Sequence, residues 1–244
     1  MCDHRLILAT DLDGTFLGGS ADQRRSLYDM LTRHRRQIMI VFVTGRDLGF
    51  IDTLKAEGDV PVPDYVIGDV GTTIVRGDTF EPIAAVQDPI SRVWAESGER
   101  VKEMLRDEPG LKPQPGTFER RMSYYYDPQT LRPEAMAKVE AAGLQWLTSA
   151  DMYFDVLPPG VSKGPTLLNF IDALQLDAAR CLVAGDTMND LSLFETGLKG
   201  VAVGNAEPRL QAELHRLPQT WFSPEPGCAG IADAIRHFDF KLED

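Results

Sequence analysis

Basic residues are scarce in this 244-residue chain: 25 lysines and arginines stand against 37 aspartates and glutamates, a net charge of −12. Binding to nucleic acid needs clustered cations that displace the phosphate counterions, so the balance argues against that class of function. The one dense basic run, Arg33-His34-Arg35-Arg36, falls at the end of an expected helix, where cations complement the helix dipole. Cysteine is scarce too. Cys2, Cys181 and Cys228 are too scattered for a disulfide framework or a thiolate metal site. Neither Cys181 nor Cys228 has an arginine six residues on, which excludes a cysteine-based phosphate loop. The N-terminus has no apolar signal stretch, and no run approaches the ~18–20 apolar residues of a membrane span. The expectation is a cytoplasmic protein with no membrane partner.

What is present is an ordinary globular balance, 43% hydrophobic and 25% charged. A chain of this length should bury roughly 70–75% of its unfolded surface. Strand-like apolar runs alternate with helix-like segments, the pattern of a parallel sheet covered on both faces. Arg5 to Thr10, Ile38 to Thr44 and Tyr65 to Ile67 read as strands in the first part, with helices at Ala21 to Arg36 and from Arg46 towards Gly58. The last part repeats the pattern: a helix from Lys163 to about Leu176, strands at Cys181 to Ala184 and Val201 to Val203, a helix from near Asn189, and a closing helix from Ala229 to Phe238.

Between them the character changes. A long charged helix (Asp88 to Asp107) leads into a stretch rich in proline and glycine, then Met122-Ser123-Tyr124-Tyr125-Tyr126, a helix after Pro133, and strands near Gln145 to Leu147 and Met152 to Leu157. Crossovers between parallel strands need only ~10–30 residues, so a segment of this size with its own elements is expected to be an inserted α+β domain. The expected architecture is a doubly wound parallel-sheet core, residues 1–80 and 159–244, carrying a second domain at 81–158.

Four motifs fall at the carboxyl ends of expected strands, where open α/β sheets place their ligands. Asp11-Leu12-Asp13-Gly14-Thr15 puts two carboxylates two residues apart on an extended exit from the first strand. That pair suits a hard divalent cation and can divide the labour of nucleophile and general acid. Thr44-Gly45-Arg46 offers a hydroxyl and free N–H groups to an anion. Lys163, opening a helix, can neutralise a phosphate and keep Asp11 ionised. Asp186 and Asp190, in Gly185-Asp186-Thr187-Met188-Asn189-Asp190, can complete an oxygen shell. Each alone has a bland alternative: an Asx turn, a common Thr-Gly turn, a solvated lysine, a helix N-cap. Four in one order at one sheet edge do not.

That order resembles the haloacid-dehalogenase superfamily, and the placement of the insertion resembles its class with a C2-type cap. Pro63 to Ile67, Asp155 to Pro158, Leu193 to Thr196, Asn205 to Pro208 and Ala229 to Phe238 resemble the sucrose-6-phosphate phosphatase branch. The resemblance implies a phosphatase for a sugar phosphate, sucrose-6-phosphate or a related glycosyl-sugar phosphate, and an association with a sugar-phosphate synthase. It implies Mg²⁺ held by Asp11, the Asp13 carbonyl and Asp186, with Asp190 behind them. Asp11 would be the nucleophile, Asp13 the acid and base, and Lys163, Thr44, Gly45, Arg46 and Asn189 the phosphate-binding groups. Arg120-Arg121-Met122-Ser123 lies where that branch has a His-Lys-x-Ser segment that contacts sugar, so Arg121 is expected to read the leaving group; a solvated strand edge is the alternative for both arginines. Tyr153 stands where the branch commonly has Asp. A phosphomutase of the same core and cap class, and a non-catalytic sugar-phosphate-binding module, are the competing readings.

Overall fold

The computed structural model describes residues 4–116, 118–149 and 151–243; Cys2 lies outside them. The chain begins with β1 (Leu6–Thr10), then α1 (Ala21–Arg33), β2 (Ile38–Val43), α2 (Leu48–Glu57), β3 (Tyr65–Gly68) and β4 (Thr73–Arg76). A second group follows: α3 (Ala84–Trp94), α4 (Ser97–Leu105), β5 (Leu111–Pro113), β6 (Met122–Tyr126), α5 (Pro133–Ala141), β7 (Gln145–Ser149) and β8 (Tyr153–Leu157). The chain then completes the first group with α6 (Lys163–Ala173), β9 (Cys181–Gly185), α7 (Leu191–Phe194), β10 (Lys199–Ala202), α8 (Pro208–Glu213), β11 (Thr220–Phe222) and α9 (Gly227–His237).

The large sheet has the order β11-β10-β9-β1-β2-β3-β4 and is parallel except for β4, which pairs antiparallel with β3. Period-two alternation divides its strands between two cores. Ile7, Ala9, Met39, Val41 and Val183 pack with Leu167 and Phe170 of α6, while Leu6, Leu8, Ile40 and Phe42 pack with Leu27 of α1 and Ile231 of α9. Both faces are therefore covered, as the apolar runs led one to expect. From β1 the chain first builds β2 and β3 on one side and later β9 and β10 on the other, so a crevice opens where the carboxyl ends of β1 and β9 meet.

The second sheet, β5-β6-β8-β7, is antiparallel. One face packs Tyr124, Phe154 and Val156 against Trp94, Val101, Leu105 and Val139 of its helices; the other turns towards the crevice. Several boundaries differ from the sequence expectation. The single helix from Asp88 to Asp107 is two helices, broken at Ala95, whose φ is +46°. The first helix stops at Arg33, and Arg35 instead pairs with Asp64 at 2.8 Å and donates to the carbonyl of Ile38. The short strands β4, β5 and β11 were not anticipated.

Candidate active site

Asp11 leaves β1 with extended backbone and is only 5% exposed. The turn that follows depends on Gly14, at φ +78°: a Cβ there would lie 2.2 Å from Oδ2 of Asp186. This close approach brings the loops after β1 and β9 together. Thr15 Oγ1 donates to Asp186 Oδ1 at 2.6 Å, and Asn205 Nδ2 donates to Asp186 Oδ2 at 3.2 Å and to the Gly14 carbonyl at 3.1 Å.

Lys163 is the first residue of α6, where the helix dipole disfavours a cation. Two carboxylates overcome that. Its fully buried Nζ donates to Asp11 Oδ1 at 2.6 Å, Asp190 Oδ1 at 2.6 Å and Asn189 Oδ1 at 2.8 Å. Burial alone would lower the Lys163 pKa, but the charges of Asp11 and Asp190 outweigh it and raise the value. Asp190 is also consumed on its other oxygen, which accepts the backbone N–H of Asp186 and of Thr187 at 3.0 and 3.1 Å. Asn189 Oδ1 is taken by Lys163 and by the Thr187 hydroxyl at 2.8 Å, which turns its Nδ2 protons elsewhere.

Burial, against the opposing charge of Lys163 and with Asp190 and Asp186 nearby, pushes Asp11 up to about 8. Burial and Asp190 push Asp186 up to about 7. A charge imbalance adds to the burial. Asp11, Asp186 and Asp190 each offer an oxygen within 4.8 Å of the others, and one ammonium faces three carboxylates. A divalent cation would balance that sum, and all-oxygen donors suit Mg²⁺. The donor set therefore fits such an ion, which Asp11 and Asp186 would face while Asp190 holds the lysine and the loop.

Asp13 stands apart from this cluster. Its side chain is 53% exposed and accepts two bonds from Arg46, at 2.8 and 2.9 Å. Arg46 also lies 4.5 Å over the Phe50 ring. Arg46 was expected among the phosphate-binding groups; its guanidinium is instead committed to Asp13. Thr44 is fully buried, and its Oγ1 accepts the Arg46 N–H at 3.1 Å, leaving the hydroxyl proton to donate.

Arg121 differs most from expectation. It is 6% exposed, not a solvated edge. Its guanidinium reaches Asp69 at 3.0 Å, Asp155 at 3.2 Å and the Gly45 carbonyl at 3.1 Å, with the Phe118 ring 4.6 Å away. Ser123 donates to the same Asp155 oxygen. Arg120 likewise crosses to the large sheet's side, donating to the Thr72 carbonyl at 3.0 Å. Both arginines therefore tie the second sheet to the loops after β2 and β3, and the terminal nitrogens of Arg121 are occupied without any sugar. Asp69 and Asn205 were given no role from the sequence. Asn205 lay in a family-like segment, but a single amide carries no sign of the aspartate it will hold.

The model of the sucrose-6F-phosphate phosphohydrolase family matches residues 4–239. The chain belongs to this family. It is 40% identical over 236 residues to a glucosylglycerol-phosphate synthase of Pseudomonas anguilliseptica, an alignment covering 96% of this chain and 31% of that protein. It is 27% identical to a mannosylfructose-phosphate phosphatase of Agrobacterium fabrum, covering 95% and 96% of the two chains. Among solved structures, a Synechocystis sucrose-phosphatase in complex with sucrose and phosphate aligns with a TM-score of 0.86, 26% identity, and 97% and 98% coverage. A haloacid dehalogenase subclass IIB sugar phosphatase shares the fold at a TM-score of 0.64 and 17% identity, over 97% and 100% of the two chains. The chain thus spans about a third of the first of these relatives and nearly all of the second.

Proposed function

We propose that this chain hydrolyses a phosphomonoester of a glycosyl-sugar through a phosphorylated Asp11. The observation that carries the reading is the pairing of Asp11 with a fully buried Lys163 inside an acidic crevice, while Asp13, two residues on, stands outside it. One carboxylate is fixed to attack phosphorus; the other, paired with Arg46 at the rim, would serve the leaving oxygen once that pair opens. Asp11 Oδ attacks in line and the phosphorus–oxygen bond to the sugar breaks. Asp13 gives its proton to the departing alkoxide, then takes one from the water that attacks the aspartyl-phosphate. Lys163 would offset the phosphoryl charge, and the Thr44 hydroxyl, the Gly45 N–H and Asn189 Nδ2 would donate to the phosphoryl oxygens; in a loose transition state such fixed charges and donors supply most of the catalysis. Mg²⁺, held by Asp11, Asp186 and the Asp13 carbonyl, would supply charge neutralisation on the phosphoryl group and lower the Asp11 pKa.

Residues 1–80 and 159–244 act as the catalytic core and 81–158 as a cap over it, which selects the leaving group. The family, and relatives named for sucrose, mannosylfructose and glucosylglycerol phosphates, support the substrate class. Similarity to part of a synthase supports association with the enzyme that makes the phosphorylated sugar. Among the described residues no helix is long and apolar enough to cross a membrane; the proposed site of action is the cytoplasm. The test is phosphate release with Mg²⁺ over disaccharide, glucosylglycerol and hexose phosphates. Release of inorganic phosphate from at least one glycosyl-sugar phosphate, in preference to hexose phosphates, is expected. Transfer to a second sugar without phosphate release would replace the hydrolase reading with a mutase.

A further inference from the structure

The crevice-facing side of the second sheet carries two side chains that no hydrogen-bond network accounts for. Tyr125 of β6 lies opposite Tyr153 of β8, with ring centroids 6.0 Å apart and planes tilted by 41°. They are 38% and 36% exposed. Residues two apart on a strand share a face. Tyr153 therefore shares a face with Asp155, and Tyr125 with Ser123, the residue that bonds Asp155. Arg121 ties Asp155 to the Gly45 carbonyl in the loop after β2. That tie orients the whole face towards the catalytic loops. The neighbouring residues of the same strands, Tyr124, Phe154 and Val156, are buried on the opposite side.

Beyond Ser123 and Asp155 the same face continues into the two rings, on the side of the sheet that Arg121 joins to the loop carrying Arg46, the partner of Asp13. Asp13 is the only group there assigned to the leaving oxygen, so discrimination among alcohols has to come from the facing sheet.

We propose that Tyr125 and Tyr153 form an aromatic platform for the apolar C–H face of a sugar ring in the leaving group. This rests on the sugar-phosphatase reading and names the subsite that reads the sugar. The ring face of an aromatic is electron-rich and the C–H bonds of a pyranose or furanose are weakly positive, so the two surfaces attract while sugar hydroxyls at the rim stay hydrated.

The experiment compares wild type, the double variant Tyr125→Ala with Tyr153→Ala, and the corresponding double Phe variant. Their substrates are a glycosyl-sugar phosphate, p-nitrophenyl phosphate and acetyl phosphate, which has no ring. The ratio of kcat/KM on the sugar ester to that on acetyl phosphate should fall by about tenfold or more in the Ala variant, mainly through KM. The Phe variant should keep the ratio, because it keeps the ring faces. An unchanged ratio in the Ala variant would overturn the platform and leave the tyrosines as a strand-pairing contact. So would a Phe variant as damaged as the Ala variant. A loss confined to p-nitrophenyl phosphate would assign the rings to an aromatic ligand instead. Saturation-transfer NMR with the unphosphorylated sugar gives a readout independent of turnover: transfer to its C–H protons in wild type, lost in the Ala variant. If wild type hydrolysed no sugar phosphate, the proposed function would fail, and the transfer signal alone would decide whether the platform binds sugar.

Discussion

At the edge of the large sheet, every polar side chain of the cluster lies within a few residues of a strand's or helix's end, and its partners sit in neighbouring loops of the same kind. Asp11 follows β1, Asp186 follows β9 and Lys163 opens α6. The second sheet works differently. Arg121, Asp155, Tyr125 and Tyr153 meet through antiparallel register, and Arg121 reaches Asp69 and Gly45, 52 and 76 residues away in the chain by its number. The first region holds charge in a fixed, dry place; the second presents two open rings beside a buried ion-pair latch. Under the proposed function, chemistry on phosphate falls to the former and discrimination among alcohols to the latter.

The sharpest break of this contrast lies in the core. Asp11→Asn removes the nucleophile and should abolish turnover on every phosphomonoester, while the folded protein keeps its thermal transition. Residual turnover on any ester near the wild-type rate would remove Asp11 from the mechanism. Asp13→Asn comes next, with a loss of ~10²–10⁴-fold on sugar esters, the usual scale for a positioned acid and base. The deficit should shrink on p-nitrophenyl phosphate, whose leaving group needs little protonation. An equal deficit on both would mean that Asp13 acts on the loop rather than on the proton.

Arg121 sharpens the comparison from the other side. The sequence reading made it a sugar contact, for which Arg121→Ala would hurt sugar phosphates alone. Its observed partners make it a latch between the two sheets and a brace for the Thr44-Gly45-Arg46 loop. The variant should therefore lose roughly tenfold in kcat/KM on both a sugar phosphate and acetyl phosphate, and lose ~3–5 kcal/mol of stability because two buried carboxylates go unpaired. Arg121→Met combined with Asp69→Asn and Asp155→Asn should recover much of that stability but not the rate. Selective loss on the sugar ester would restore the sugar-reading role.

The smallest effect concerns charge in the crevice. Burial raises Asp11 to about 8 and Asp186 to about 7. A carboxyl with a raised folded pKa binds more protons folded than unfolded, so its contribution to stability falls as pH rises from about 4 to about 8. A divalent cation opposes that fall. Mg²⁺ should therefore raise the melting temperature by ~2–4 °C or more at pH 8 and by less at pH 5. A larger rise at pH 5 would contradict the assignment of these carboxylates to the ion.

The difference between the two regions also explains what could be read from residues alone. Asp11, Asp13, Lys163 and Asp186 were legible because a strand's carboxyl end, a glycine turn and a helix start are local features, and their order along the chain maps directly onto the sheet edge. The inserted segment was legible as a second α+β unit by its length and changed pattern. The break at Ala95 was not, because nothing in a charged helical stretch marks one residue at positive φ. Arg46 and Arg121 could be picked out as cations near a site, but their partners, Asp13 for one and Asp69 with Asp155 for the other, depend on how two sheets meet. Tyr153 was visible only as a departure from Asp; its ring became a candidate platform once the register set it beside Tyr125.

The most direct test of the account is the site of the covalent intermediate. Rapid quenching during turnover of a glycosyl-sugar phosphate with Mg²⁺, followed by peptide mass spectrometry, should place the phosphoryl group on Asp11. In Asp13→Asn, which has lost the base for hydrolysis, the labelled fraction should increase. A label on another residue, or steady turnover with no labelled peptide in either protein, would contradict a mechanism through Asp11.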